Sequence, residues 1–302
     1  MDGRAYVSGS YLLELGGVPC GFLKSVEGGA IIGEVINQPS GNPVFPKKCI
    51  SQPKYEHVTI LFGLSMNKAL YEWISETLMG GFPRRDVAVV ACDAKLQPRS
   101  RTEYTHCLIT EVAFPALDGA SKEPAYLRIT FAPESTRVGA APGKVSAEAS
   151  KAEAKALLPS NFALSIPGLD ASRVSKIGEI VVKVWGPPAD VGGIRIGGEQ
   201  PSHIEFSNLV VTMPESAAET WGRWHNDFLV AGNNDDAAEK TGTISGLNAN
   251  RQAELFTITL RNLGILRLSA DKAEANADQI KRVQAEMYCE RIEFSYKGAG
   301  AK

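Results

Sequence analysis

Leu70-Tyr71-Glu72-Trp73-Ile74, running on through Met79-Gly80-Gly81-Phe82-Pro83-Arg84-Arg85-Asp86-Val87-Ala88-Val89-Val90-Ala91-Cys92-Asp93, is the stretch that decides the fold. Leu70, Trp73, Ile74, Thr77 and Leu78 recur at helical spacing, so one amphipathic helix is expected, with Ser65 as its cap. The glycine pair stops it, since glycine takes the left-handed turn that ends a helix at no steric cost. The apolar run from Asp86 to Ala91 then reads as a strand.

Upstream of the helix, Tyr11–Leu15, Phe22–Val26 and Ala30–Ile36 read as strands, with a turn at Gly28-Gly29. Asn37 to Pro46 holds three prolines and reads as a loop. Lys54–Phe62 alternates, placing Val58, Ile60 and Phe62 on one face. Downstream, Asp93–Thr102 is a polar connection and Tyr104–Phe114 a strand. After a turn at Asp118-Gly119, Leu127, Ile129 and Phe131 line a closing strand.

The pattern then restarts. Phe162-Ala163-Leu164-Ser165-Ile166-Pro167-Gly168 answers Tyr11-Leu12-Leu13-Glu14-Leu15-Gly16-Gly17. Val174–Gly178 and Glu179–Trp185 answer the next two strands, and Gln200–Phe206 answers Gln52–Val58. A second helix is expected over Pro214–Val230, with a Thr212…Glu215 capping box, a stripe of Trp221, Trp224 and Phe228, and a stop at Gly232. Leu255–Asn262 is matched to Tyr104–Val112 and Ala285–Tyr296 to the closing strand, with Ser269–Lys281 as an insert. The expected organisation is a mainly β chain of two tandem β-sandwich or barrel units, each with one flanking helix. They would occupy residues 1–136 and 161–302, joined by a linker at 137–160 that is helical over Ala147–Leu158.

The chain's 302 residues, 44% hydrophobic and 22% charged, suffice for two ordinary globular units. Its 32 basic and 34 acidic residues leave no surplus to neutralise phosphates, so no specific nucleic-acid binding is expected. No apolar run reaches the roughly 18 residues of a bilayer span, so no membrane partner is expected. No apolar signal core follows Met1-Asp2-Gly3-Arg4, so assembly in the cytoplasm is expected. The five scattered cysteines fit reduced thiols.

Catalytic chemistry is not legible. No His/Cys set sits at metal-ligand spacing, and His106-Cys107 are strand neighbours that point to opposite faces. His225 reads as a boundary residue beside Trp221 and Trp224, and Asp227 points elsewhere. Gly192 to Gly198 fits neither a phosphate nor a dinucleotide loop. No enzymatic activity, catalytic residue, metal or cofactor is expected; a carbohydrate- or peptide-modifying enzyme is the weaker class.

The run Leu70 to Asp93 resembles the contractile-tail tube protein family, the myophage tail tubes and the inner tubes of phage tail-like injection systems. The resemblance rests on the helical Leu-Tyr-x-Trp, the glycines, Arg84-Arg85-Asp86 and the strand ending at Asp93. It extends over about residues 10–136 through Tyr11…Gly17, Val26-Glu27-Gly28 and Gly33-Glu34-Val35, and more faintly over 160–297. It implies subunits joined sheet to sheet in a ring around a channel. The partners implied are further copies, as a trimer or hexamer, and other tube, spike, sheath or baseplate proteins. Arg84, Arg85 and Asp86 are then candidate subunit contacts, and the loop with Asn37, Pro39, Asn42 and Pro43 is a candidate reach to the next ring. Three two-unit chains would make a pseudo-sixfold ring between spike and tube. The alternative is a ring-forming carrier that holds an effector in its lumen. The second unit departs from the pattern in lacking Arg-Arg-Asp.

Overall fold

The computed structural model describes residues 9–38, 47–140, 157–186, 200–270 and 281–297. The first half opens with β1 (Ser10–Leu15) and β2 (Val18–Gly28). A projecting hairpin follows, made of β3 (Ile31–Ile32), β4 (Val35–Gln38), β5 (Lys47–Ile50) and β6 (Lys54–Tyr55). Then come β7 (Val58–Phe62), helix α1 (Lys68–Leu78), β8 (Arg85–Cys92), β9 (Pro98–Phe114), β10 (Leu117–Asp118), β11 (Leu127–Ala132) and β12 (Ser135–Ala140).

The second half runs β13 (Phe162–Ser165), β14 (Lys176–Ile177), β15 (Ile180–Trp185), β16 (His203–Phe206) and β17 (Leu209–Pro214). A 3₁₀ turn at Glu215–Ala217 leads into α2 (Glu219–His225) and a π-helical turn, Asn226–Val230. β18 (Lys240–Leu247), β19 (Glu254–Ala270) and β20 (Arg282–Tyr296) complete it.

In the first half the order β7-β2-β1-β8-β9 closes through β11, which pairs with both β7 and β9. Closure removes the outer edges of that sheet, except where β9 runs on past its last pair with β8, at Cys107. In the second half the order β14-β17-β20-β19-β18-β13 is the same circuit, open between β13 and β14. That gap falls where the chain turns through Ile166–Val174 and has no described strand to answer the start of β2.

The two halves match residue for residue. Phe162 stands to Tyr11 as Leu209 to Val58 and Met213 to Phe62, each 151 positions on, and each in the matching ladder. From β9 onward the separation is 156: Asn262 stands to His106, Met287 to Phe131 and Tyr296 to Ala140. His106 and Asn262, both left-handed (φ 48° and 55°), occupy the ninth place of two strands of 17 residues. The difference accumulates around the helices and the turn before β9. The π turn in the second half takes up one extra residue, since it closes five residues on where an α turn closes four.

These registers correct several expectations. β9 begins at Pro98, inside the expected polar connection. Leu255–Asn262 answers Arg99–His106, and Gln200–Phe206 answers Cys49–Tyr55, because an alternating pattern alone does not fix register. Ser269–Lys281 is no insert, since the separation is 156 on both sides of it. Ala30–Ile36 is two short strands on the hairpin. The cap of α1 is Asn67, whose Oδ1 accepts from the Ala69 N–H at 3.0 Å. Thr212 lies within β17, opposite Gln284, and caps nothing. β12 carries the sheet past position 136, and the helix expected over Ala147–Leu158 lies outside the described residues up to 156. The predicted stripes hold: Leu70, Trp73, Ile74, Thr77 and Leu78 are buried, as are Trp221, Trp224 and Phe228.

Candidate functional site: the join between the halves

The most extensively built feature is the contact of one half with the other. β15 of the second half pairs antiparallel with the end of β9, placing Ile180, Val181, Val182 and Lys183 opposite Phe114, Ala113, Val112 and Glu111. The first-half sheet thus continues into β15 and β16. In return β10 extends the second-half sheet, with Leu117 opposite Ile177 and Asp118 opposite Lys176. Arg128 straddles the line, 3.4 Å from Glu111 and 3.2 Å from Glu179.

Side chains seal the join. Phe294 meets Phe114 at 5.2 Å between ring centroids and Tyr71 at 6.1 Å, and Tyr71 stacks on Tyr296 at 3.8 Å. Ser75 Oγ donates to the Phe294 carbonyl at 3.0 Å, and the Tyr296 hydroxyl donates to the Leu64 carbonyl. The tyrosine of the Leu-Tyr-x-Trp motif is therefore a joint between the halves. Burial pushes its hydroxyl pKa upward, so it stays neutral in the packed state. Phe114, Leu127, Ile177, Ile180, Phe256 and Phe294 line one apolar seam, and buried residues of both halves form one continuous cluster.

The hairpin of the first half is the counterpart of β15 and β16. The Ser51 N–H donates to the Glu34 carbonyl and, 151 positions on, the Ser202 N–H donates to the Trp185 carbonyl, both at 2.7 Å. Yet Ile31, Ile32, Val35, Ile36 and Ile50 are exposed. Of the expected loop residues, Asn37 is an exposed member of β4, and Pro39, Asn42 and Pro43 lie outside the described residues.

Arg84 and Asp86 hold the bulge at His106, and Arg85 turns to the helix α1. Arg84 pairs with Glu134 at 3.1 Å and donates to the His106 carbonyl at 3.3 Å. Arg85 pairs with Glu76 at 2.7 Å, and Asp86 Oδ1 accepts the His106 N–H at 2.8 Å. The second half has Glu239-Lys240-Thr241 here, and Glu239 accepts from Asn262 Nδ2 at 2.7 Å and from the Tyr288 hydroxyl at 2.6 Å. The two halves thus hold the same left-handed residue through different partners. His106→Val puts a β-branched side chain at φ 48°, which is expected to cost about 1–2 kcal/mol in a denaturation experiment. His106→Asn should be close to neutral, since asparagine already serves at Asn262.

Among the described residues no group of three His, Cys, Asp or Glu side chains could hold a metal ion. Burial pushes the Cys20 thiol up to about 11 and Cys107 up to about 12, which removes them as nucleophiles at neutral pH. His106 is exposed beside fully buried Cys107. Among the described residues no helix is long and apolar enough to cross a membrane.

No family model matches the chain, and no curated protein does. Solved structures do show a likeness. The tube-terminating cap of the anti-feeding prophage matches with a TM-score of 0.40 at 18% identity, over 47% of this chain and 95% of that one. A chain of the sheath–tube complex of the extracellular contractile injection system PVC matches with a TM-score of 0.40 at 17% identity, over 46% and 95%. Hcp1 from Flavobacterium johnsoniae matches with a TM-score of 0.31 at 11% identity, over 45% and 95%. The likeness is to tail-tube-like proteins, and it spans about half of this chain.

Proposed function

We propose that the chain is a structural, non-enzymatic tube or hub/baseplate component of a contractile phage tail or phage tail-like injection system, assembled in the cytoplasm as a ring around a channel. The observation that supports this best is the sheet-to-sheet join, in which one unit adds a strand to the next. A ring of tube subunits needs that kind of contact, because open sheet edges are satisfied by pairing and a closed ring leaves none. The motif at Leu70 to Asp93 supplies the system. The units of this reading are residues 1–136 and 161–302, with 137–160 between them.

Three chains would place six units around the channel, so the particle would match a sixfold tube on one side and a threefold spike on the other. The loop with Asn37, Pro39, Asn42 and Pro43 would reach the neighbouring ring. Half-buried Arg84 and Arg85 and exposed Asp86, each engaged within the chain, would present their outer surfaces to a neighbour. Mass photometry with negative-stain imaging of the purified chain tests the reading. Rings with a central channel are expected; a monomer at micromolar concentration and in the presence of tube proteins contradicts it.

A further inference from the structure

We infer that β3 of one copy adds to the free edge of β19 in a second copy, with Ile31 opposite Leu268. The contact repeats, between chains, the join already made within the chain. It rests on the ring reading above and specifies its contact.

The register follows from the two constant separations. Within the chain Val182 lies opposite Val112. The first-half counterpart of Val182 is Ile31, 151 positions earlier, and the second-half counterpart of Val112 is Leu268, 156 positions later. By the same step Ala30 falls opposite Ser269, and Ile32 opposite Arg267. Both edges are open among the described residues. β3 pairs only with β6, and the described residues make no backbone bond to Arg267–Ala270 other than those of β20.

Exposure distinguishes paired from unpaired counterparts. Val182 is 1% exposed, whereas Ile31 is 56% exposed. The same holds one strand away. Phe294 is 4% exposed in the join, while its first-half counterpart Val138 is 68% exposed. Apolar side chains occupy these positions in both halves but are covered in only one, which marks an uncovered interaction surface.

Side-chain sizes also match. Tyr71 and Tyr296 stack within the chain. Their counterparts across the proposed contact are Gly222, the fourth residue of α2 as Tyr71 is of α1, and Ala140. Both members of the pair are small, so the contact keeps its fit with closer backbones. Phe256 and Ile258 are answered by Ser100 and Thr102, so this surface is more polar than the join within the chain. The contact is heterologous. Each chain keeps one donor surface, with Ile31 and Val138, and one acceptor surface, with Leu268 and Gly222, as a closing ring requires.

Cross-linking of the full chain tests this. Ile31→Cys and Leu268→Cys variants are mixed in equal amounts under mild oxidation. A disulfide-linked dimer mapped by mass spectrometry to positions 31 and 268 is expected, absent from either variant alone; the double variant should give a ladder. Ile31→Asp and Val138→Asp change exposed side chains, so each should fold normally yet raise the concentration for half-assembly by at least about thirtyfold. Rings that form without the 31–268 link and survive both Asp variants overturn this contact and leave the ring reading standing. A wild-type chain that never assembles overturns both.

Discussion

Phe294→Ala is expected to cost about 3–5 kcal/mol and to lower the stability of both halves together. Phe294 lies in the second half but meets Tyr71 and Phe114 of the first, as well as Phe256 of its own. Its removal leaves a cavity at the seam, and the surrounding β-sheet backbone cannot collapse to fill it. Since the core is continuous across the join, one unfolding transition is expected before and after the substitution. Urea denaturation followed by intrinsic fluorescence reads this through Trp73 in the first half and Trp221 in the second, both fully buried. Two separated transitions in the wild type would show that the halves are independent.

Val182→Asp is the second large effect. Val182 is buried on β15, in the apolar cluster shared by the two halves. An unpaired carboxylate there costs several kcal/mol, which is a large part of the margin by which most chains stay folded. The variant is expected to be insoluble or to lose its cooperative transition. Ile31→Asp, the same substitution at the matching first-half position, should leave the single chain's stability within about 0.5 kcal/mol. The pair of variants separates burial within the chain from burial between chains. Equal losses at both positions would contradict the assignment of Ile31 to an open surface.

Much of this was legible in the sequence. The stripes of both helices, the alternation of Val58, Ile60 and Phe62, and the restart at Phe162 each follow from period and glycine placement. The register of the repeat beyond the helices was not. Phe256, Ile258 and Leu260 look like any alternating strand, and their true counterparts Ser100, Thr102 and Tyr104 share little of their chemistry. Phe256 and Ile258 line the join, whereas Ser100 is exposed and Thr102 half-buried; Leu260 and Tyr104 are both buried. The backbone kept what the side chains lost: left-handed His106 and Asn262 mark the same bulge under different residues.

The join itself is not legible in the sequence, for a related reason. Ile31-Ile32 and Val182-Lys183-Val184 are similarly apolar, and nothing in either says which is covered. Pairing across the chain depends on where the hairpins project, which is a property of the assembled sheets. Arg84, Arg85 and Asp86, which the resemblance offers as subunit contacts, are also engaged within their own chain, Arg84 and Asp86 at the bulge and Arg85 with Glu76 on α1.

If the chain holds two copies of one unit, joined to each other as chains are joined in a ring, a cryo-EM reconstruction of the assembled particle will show it. The predicted result is a ring of three chains and six units, in which β3 of one chain continues the sheet at β19 of the next. A ring whose chains meet through other faces, or one with six chains, would contradict the account.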